Sequence, residues 1–217
     1  MATYQQKIIT LVIGGRANWG RARTFAIAAK KSEQVRLDLV LMGSALNDAF
    51  GSTEADVCAD GNDGQYWKIP TRTVDDNHAD QARATAEAIL GLCDYIEERK
   101  PDCMVTIADR FETIATAISS SFSNILLAHI QGGEISGNID EKVRWAISML
   151  SDIHLPSSDI AETRLLANPQ IKGTVFLSGC PAIDTMLSLT GQNMNQAKLV
   201  SGVQDDFVLV SLHPNTE

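Results

Sequence analysis

Residues 7–14, KIITLVIG, form a continuous run of aliphatic, mostly β-branched residues that ends in glycine. A run without polar alternation is typical of a central strand covered on both faces, as in a parallel sheet. Runs of the same kind follow at residues 35–42, 103–108, 125–129, 153–155 and 174–177, with helical patterns between them. This alternation predicts an α/β fold built on a doubly wound parallel sheet.

Two further segments bear on the fold. At residues 79–100 apolar side chains recur three or four positions apart, and Pro101 follows, which predicts a helix. Residues 56–65, DVCADGNDGQ, are rich in aspartate and glycine and predict a surface loop.

The last part of the chain predicts a change of domain. Residues 191–206 are polar and typical of a linker, and residues 207–212, FVLVSL, have the pattern of another buried strand. We therefore expect one domain at residues 1–190, a linker at 191–206 and, at 207–217, the first strand of a second, mostly absent domain.

The composition indicates a globular chain and argues against several partners. The 217 residues are 44% hydrophobic, and 18 Lys and Arg against 27 Asp and Glu give a net charge of −9. An acidic chain lacks the basic field that holds nucleic acid or an anionic membrane. The apolar runs are far shorter than the roughly 18–20 residues of a membrane span. The first residues, MATYQQ, do not resemble a secretory signal, so we expect a cytoplasmic protein.

The cysteines indicate neither a disulfide scaffold nor a metal site. The four cysteines are scattered without a CxxC pair, which favours neither a disulfide scaffold nor a zinc site. We expect no cofactor and no catalytic metal.

Ligands of open α/β sheets bind where the strands end, so the residues after each apolar run are the candidates. After the first run comes GGRANWGRAR, with Arg16 in the turn and Arg21 early in the next helix. Helix-start amides and guanidinium groups suit phosphate, although a generic turn with solvated arginines fits equally well. The glycines only approximate GxGxxG, and the second strand ends without the acidic residue of a nicotinamide site.

The run at 103–108 ends in Asp109 and Arg110, a carboxylate beside a guanidinium. Asp109 is a candidate functional residue. Together with Glu112, three residues on, it also fits a capping box of the following helix.

The run at 125–129 ends in HIQGGE, which places His129, Gln131 and Glu134 around Gly132 and Gly133. Paired glycines let the backbone approach a ligand while the polar groups converge on it. A glycine-rich loop beside a histidine buried in the core is the alternative.

Asp140 and Arg144 are spaced i,i+4 on the next predicted helix, where they flank its apolar stripe. As an exposed ion pair they would add only a few tenths of a kcal/mol. His213, directly after the last apolar run, is the remaining candidate, although a single histidine of this kind is usually structural.

Together these segments resemble the UDP-N-acetylglucosamine 2-epimerases, and within them the hydrolysing branch that makes N-acetylmannosamine and UDP for sialic-acid synthesis. The resemblance rests on RANWGR, ADRFET, AHIQGGEISGNIDEKVRWAISMLSDIH, LSGCPAID and LHPNTE, in consistent order. It implies two Rossmann-like domains in the B-type glycosyltransferase arrangement, of which this chain is the first, and a homodimer. It also implies elimination of UDP to a glycal, followed by addition of water.

The resemblance implies roles for individual residues. Arg16 and Arg21 match phosphate-facing positions, and His213 matches a histidine near the diphosphate. Asp109, expected as the base at C2, and Asp140 match catalytic carboxylates. Arg144 matches the guanidinium beside them.

Some positions depart from the family pattern. Gln131 stands where related enzymes often have glutamate, and an amide cannot take up a proton; Glu134 is the nearest carboxylate that could serve instead. Trp145 stands where a histidine is usual. Two other functions stay open: a hydrolysing 2-epimerase for a 2,4-diacetamido UDP-sugar of the legionaminic-acid route, and a non-catalytic or split-enzyme domain.

Overall fold

The computed structural model describes residues 6–51, 53–62, 66–72 and 78–189, together with the single residues 202, 208 and 210. Seven parallel strands form one sheet in the order β3-β2-β1-β4-β5-β6-β7. They are β1 (Lys7–Ile13), β2 (Val35–Met42), β3 (Tyr66–Ile69), β4 (Cys103–Ile107), β5 (Leu126–Ile130), β6 (Ile153–Leu155) and β7 (Thr174–Val175).

The helices connect successive strands. They are α1 (Arg16–Lys30), α2 (Thr53–Val57), α3 (His78–Arg99), α4 (Thr113–Phe122), α5 (Ile139–Leu150), α6 (Asp159–Ala167) and α7 (Pro181–Leu189). Neighbouring residues of one strand face opposite sides, so Leu11 and Ile13 pack with α1, while Val12 packs with α3, α4 and α5. Helices cover both faces, which confirms the prediction of a doubly wound parallel sheet.

Six strands lie where aliphatic runs predict them, but β3 carries no such run. Its four residues, YWKI, pair only with β2 in a short edge strand. The surface loop predicted at 56–65 is wrong where it begins, because residues 53–57 are helical and 58–62 continue as a wide helical turn, with non-helical backbone at Asp60 and Gly61. Residues 63–65 lie outside the described ranges. Contacts with α1 hold this segment: Asp60 accepts a hydrogen bond from Trp19 at 3.0 Å and pairs with Arg23 at 2.5 Å.

The strand order places a crevice at the carboxyl end of the sheet. From β1 the chain moves outward to β2 and β3, then crosses back to β4 on the other side of β1. Residues that follow β1 and β4, beginning at Gly14 and Ala108, therefore face each other where the strand order reverses. Such a switch point is the usual ligand site of an open α/β sheet.

Other expectations lie beyond what the structure describes. The predicted linker at 191–206 and strand at 207–217 fall on residues outside the described ranges, apart from the three single residues named above. Within the described part of the chain, no helix is both long and apolar enough to cross a membrane. The cytoplasmic location stays a prediction.

Candidate active site

The first wall of the crevice is the turn from β1 into α1. Gly15 precedes the helix in extended conformation, and no side chain caps the helix start. A Cβ atom on Gly15 would lie 2.7 Å from the Ser44 hydroxyl, so a larger residue there would force Ser44 to move. Arg16, the first helical residue, is exposed and passes beside Gly51. The uncapped helix start and this guanidinium suit an anionic group.

The second wall is the end of β4, where Asp109 forms an ion pair with Arg144 of α5. Both side chains are largely buried, at 17% and 10% exposure. The helix-capping explanation for Asp109 is wrong: α4 begins at Thr113, and its N-cap residue Glu112 makes no side-chain capping bond. The Asp109 carboxylate therefore joins the end of β4 to α5, instead of capping the helix that follows it in sequence.

Arg144 is the more buried member of this pair. Its Nη1 donates to the Glu134 carbonyl oxygen at 2.8 Å, while its Nε has no hydrogen-bond partner among the described residues. Burial lowers the pKa of Arg144, and the positive charge of Arg21 lowers it further. The positive charges of Arg21 and Arg144 thus act on each other across the crevice.

The third wall is the end of β5. Gln131 Oε1 accepts a hydrogen bond from Arg21 Nη1 at 3.1 Å, and its Nε2 donates to Cys180 Sγ at 3.4 Å. The structure thus joins two predicted site residues, Arg21 and Gln131, that lie 110 positions apart in the sequence. Both ends of the amide are held, which fixes its orientation.

Backbone strain marks the ends of both β4 and β5. Ala108 has a φ of 59° directly before Asp109, and Gln131 has a φ of 64°. Residues other than glycine seldom adopt the left-handed region, and the cost is of order 1–3 kcal/mol each. Strain of this kind concentrates at functional sites, and here it sets the directions of two predicted site residues.

His129 is a core residue, as the alternative interpretation had it. The side chain is fully buried, Nε2 donates to the Ala108 carbonyl at 2.9 Å, and Nδ1 accepts from the Ser148 hydroxyl at 3.0 Å. Burial lowers the pKa of His129 to about 4, so the ring is neutral at pH 7. The ring holds the strained backbone that carries Asp109.

The two glycines after Gln131 are required by packing. A Cβ on Gly132 would lie 2.9 Å from both His129 Nδ1 and Ser148 Oγ. Gly133 has a φ of 82°, and a Cβ there would lie 2.5 Å from the Ala161 carbonyl. Close approach to neighbouring protein accounts for both positions without a ligand.

The remaining predicted carboxylates lie around the start of α5. Asp140 is in its first turn, and the amide of Asn138 donates to Asp140 Oδ2 at 3.3 Å. Glu134 is half-buried and accepts from the Ser158 hydroxyl at 3.5 Å. The Arg144 side chain lies against Asp109 and the Glu134 carbonyl, an arrangement that the i,i+4 spacing with Asp140 does not predict. His213 lies outside the described residues.

Arg110 and Glu112 also lie at the end of β4, and the sequence did not indicate either of them as a site residue. Arg110 Nε donates to Glu112 Oε1 at 2.8 Å, and the Glu112 side chain is only 3% exposed. The sequence offered one signal, the ADRFET segment that contains both residues, but no pattern indicated that Glu112 would be buried.

Comparisons with known proteins identify the family of this chain. The family described as UDP-N-acetylglucosamine 2-epimerase matches residues 27–217. The UDP-N,N'-diacetylbacillosamine 2-epimerase (hydrolyzing) of Legionella pneumophila is 32% identical over 82% of this chain and 47% of its own length. The UDP-N-acetylglucosamine 2-epimerase of Neisseria meningitidis serogroup B is 28% identical over 97% of this chain and 55% of its own. The chain spans about half the length of the curated relatives it matches.

Solved structures agree on the fold. The Methanocaldococcus jannaschii UDP-GlcNAc 2-epimerase in complex with UDP-GlcNAc and UDP has a TM-score of 0.75 at 18% identity, covering 93% of this chain and 55% of that one. The Neisseria meningitidis enzyme bound to UDP-GlcNAc has a TM-score of 0.70 at 18% identity, covering 91% and 52%. The sheet is therefore the Rossmann-like sheet of a B-type glycosyltransferase fold. The family match extends over most of the sequence, and the chain belongs to the UDP-N-acetylglucosamine 2-epimerase family.

Proposed function

We propose that the full-length protein is a hydrolysing UDP-sugar 2-epimerase that converts UDP-GlcNAc to N-acetylmannosamine and UDP. The observation that carries the proposal is the Asp109–Arg144 ion pair at the switch point, beside strained backbone and a second guanidinium, Arg21. In the proposed reaction a base removes the C2 proton, and the electron pair forms the C1–C2 double bond as the C1–O bond to UDP breaks. Water then adds to this glycal, its hydroxyl to C1 and a proton to C2.

Asp109 is the proposed base at C2. Arg144 orients its carboxylate, and the Ala108 backbone, held by His129, sets its direction. General acid–base groups of this kind contribute about 10²–10⁴-fold to a rate. A water-excluded site strengthens the effect, and such a site needs the second domain that the resemblance implies.

The diphosphate leaving group requires positive charge that is already in place. Three arginines supply this charge: Arg16 at the uncapped start of α1, Arg21 of α1 beside Gln131, and Arg110 after β4. These guanidinium groups supply local positive charge at the strand ends, although the chain as a whole carries a net charge of −9.

Hydration of the glycal requires a second proton-transfer group. Gln131 cannot serve, because an amide does not take up a proton. We assign Gln131 the orientation of the sugar, and we assign the delivery of water to Asp140, with Glu134 as the neighbouring alternative. Asp140 lies on α5 one turn before Arg144, and Glu134 is joined to Arg144 through its backbone carbonyl.

A second candidate substrate is a 2,4-diacetamido UDP-sugar. The Legionella pneumophila relative, 32% identical, is named for UDP-N,N'-diacetylbacillosamine, and a Campylobacter jejuni relative, 28% identical, for the GDP- and UDP-linked forms. Gln131 and Trp145 are the departures from the family pattern that would accommodate the additional acetamido group.

The experiment that tests the proposal offers both donors to the full-length protein. UDP release is followed by a coupled assay, and the sugar is identified by proton NMR. N-acetylmannosamine from UDP-GlcNAc supports the first assignment, whereas turnover of the diacetamido donor alone moves the substrate to the second. A folded protein that binds UDP but turns over neither donor would contradict both and favour a non-catalytic domain.

We also propose a homodimer, as the resemblance implies. Apolar side chains are exposed together near the ends of α4 and α5: Phe122 at 90%, Leu126 at 52% and Met149 at 46%. Burial of such a patch is the usual drive for association. Sedimentation of the full-length protein as a monomer at micromolar concentrations would contradict this proposal.

A further inference from the structure

Glu112 is a buried carboxylate at the floor of the crevice. The residue is 2% exposed and follows β4 by a few positions. A Cβ on Gly14 would lie 2.7 Å from Glu112 Cγ, and a Cβ on Gly43 would lie 3.8 Å from its Oε1. The glycine that follows β1 thus leaves the space that the Glu112 side chain occupies, whereas the distance at Gly43 is an ordinary contact.

Packing and capping do not account for this carboxylate. Burial of a charged group costs free energy unless hydrogen bonds replace its water. Glu112 Oε2 has no such bond within the described residues, and the side chain does not cap α4 although Glu112 is the N-cap residue. A carboxylate kept at this cost calls for a role other than stability.

The contact that Glu112 does make is with Arg110. Oε1 accepts from Arg110 Nε at 2.8 Å, and the guanidinium carbon lies 5.7 Å from the centre of the Phe111 ring. The Arg110 side chain is 43% exposed, whereas that of Glu112 is 3% exposed. A bond to Nε holds the guanidinium plane while leaving its two terminal NH₂ groups for another acceptor. Paired NH₂ groups match two oxygens of a phosphate.

We propose that Glu112 is a positioning residue, which acts through Arg110 to hold the guanidinium over the crevice for the diphosphate of the nucleotide sugar. The inference rests on the proposed function, because it requires a nucleoside diphosphate as ligand. Glu112 itself does not touch the ligand; its charge and its buried, fixed oxygen set where the Arg110 terminal groups lie. Free rotation of an unrestrained arginine would cost entropy at each binding event.

Calorimetric titration of the full-length protein with UDP and with uridine tests this role. Glu112→Ala should weaken UDP binding about tenfold, the loss of one charge-assisted hydrogen bond, and leave uridine binding unchanged. For the sugar donor, KM should rise more than kcat falls. The matched control is Glu98→Ala, which removes an exposed glutamate from α3 and should alter neither affinity.

A double-mutant cycle separates positioning from general damage. If Glu112 acts through Arg110, the Glu112→Ala, Arg110→Ala double variant binds UDP no more weakly than Arg110→Ala alone. Additive losses would overturn the inference. Glu112→Gln keeps the shape and one acceptor oxygen of the side chain, so its affinity for UDP should fall about threefold. This variant replaces the alanine variant in the test if thermal melting shows that Glu112→Ala is unfolded.

The outcomes for this inference and for the proposed function differ. A wild-type protein that binds no UDP contradicts the proposed function and with it the role of Glu112. A wild-type protein that binds UDP, together with Glu112 variants that bind it equally well, overturns only the positioning role.

Discussion

Two aspartates, Asp38 toward the amino end of the sheet and Asp109 at its carboxyl end, are both largely buried and paired with arginine, yet they differ in kind. Asp38, near the amino end of β2, accepts from Arg36 at 3.3 Å, from Arg99 at 3.2 Å and from the Tyr95 hydroxyl at 3.2 Å. Thr10 donates in turn to Tyr95 at 2.6 Å. Both oxygens of the Asp38 carboxylate thus accept hydrogen bonds from strand and helix residues.

The surroundings of Asp109, at the carboxyl end, are less complete. Its partner Arg144 has an unpaired Nε, Glu112 has an unpaired Oε2, and the buried Asn18 has an unpaired Oδ1, in each case among the described residues. Left-handed backbone precedes Asp109 as well. Buried polar groups without partners and strained backbone cost stability and call for a functional role, so the comparison separates an aspartate for stability from an aspartate for chemistry.

The largest effect expected is that of Asp109→Asn on turnover. Because asparagine keeps an oxygen toward Arg144 but cannot take up a proton, kcat for UDP release should fall by about 10³-fold. UDP release by the folded variant is the measurement, with circular dichroism to establish folding. Undiminished release would remove Asp109 from the reaction and with it the distinction between the two ends of the sheet.

The next effect is on stability and comes from His129, which supports the Asp109 backbone. Its pKa is about 4 in the folded protein against about 6.5 when unfolded. The unfolded chain therefore binds a proton first, so this contribution is complete above pH 6.5 and is lost as the pH falls toward 4. The loss amounts to about 3 kcal/mol in total, measured by urea unfolding from pH 7 to pH 4.5. His129→Gln should flatten that dependence; an equal slope in the variant would contradict the assignment.

How far the sequence predicts this molecule differs between its parts. The aliphatic runs of β1, β2 and β4 suffice because strands covered on both faces are predominantly hydrophobic. The strand β3 and the helical segment 53–62 were not predicted. Pairing with β2 stabilises β3, and contacts with α1 stabilise the helical segment, so neither has a local sequence pattern. Tertiary contacts of this kind override local preference.

The site divides in the same way. Asp109, Gln131 and Arg21 were predicted because they follow the ends of strands, and the doubly wound topology brings those ends together. The pairing of Asp109 with Arg144 and the burial of Glu112 depend on how α5 and α4 pack against the sheet, which no spacing in the sequence encodes.

A smaller effect is expected at the amino end of the sheet. Asp38→Asn should cost about 2 kcal/mol of unfolding free energy, because it weakens hydrogen bonds to a charged group while Arg36 and Arg99, about half exposed, stay solvated. Turnover per folded molecule should match that of the wild type. Urea denaturation and UDP release measure the two quantities; a loss of turnover similar to that of Asp109→Asn would erase the contrast between the two aspartates.

The smallest effect should come from Gln131→Glu, which introduces the carboxylate that related enzymes often have at this position. The new charge would face Arg21, which already donates to this side chain at 3.1 Å, so the ion pair should form without displacing the backbone. If proton transfer belongs to Asp109 and Asp140, kcat should change by less than about threefold, a difference worth under 1 kcal/mol. Turnover with UDP-GlcNAc and with the diacetamido donor is the measurement, and Gln131→Met removes the amide as a control. A rise of about tenfold or more in kcat would mean that the β5 end carries a missing base, and that the chemistry of the crevice extends beyond Asp109.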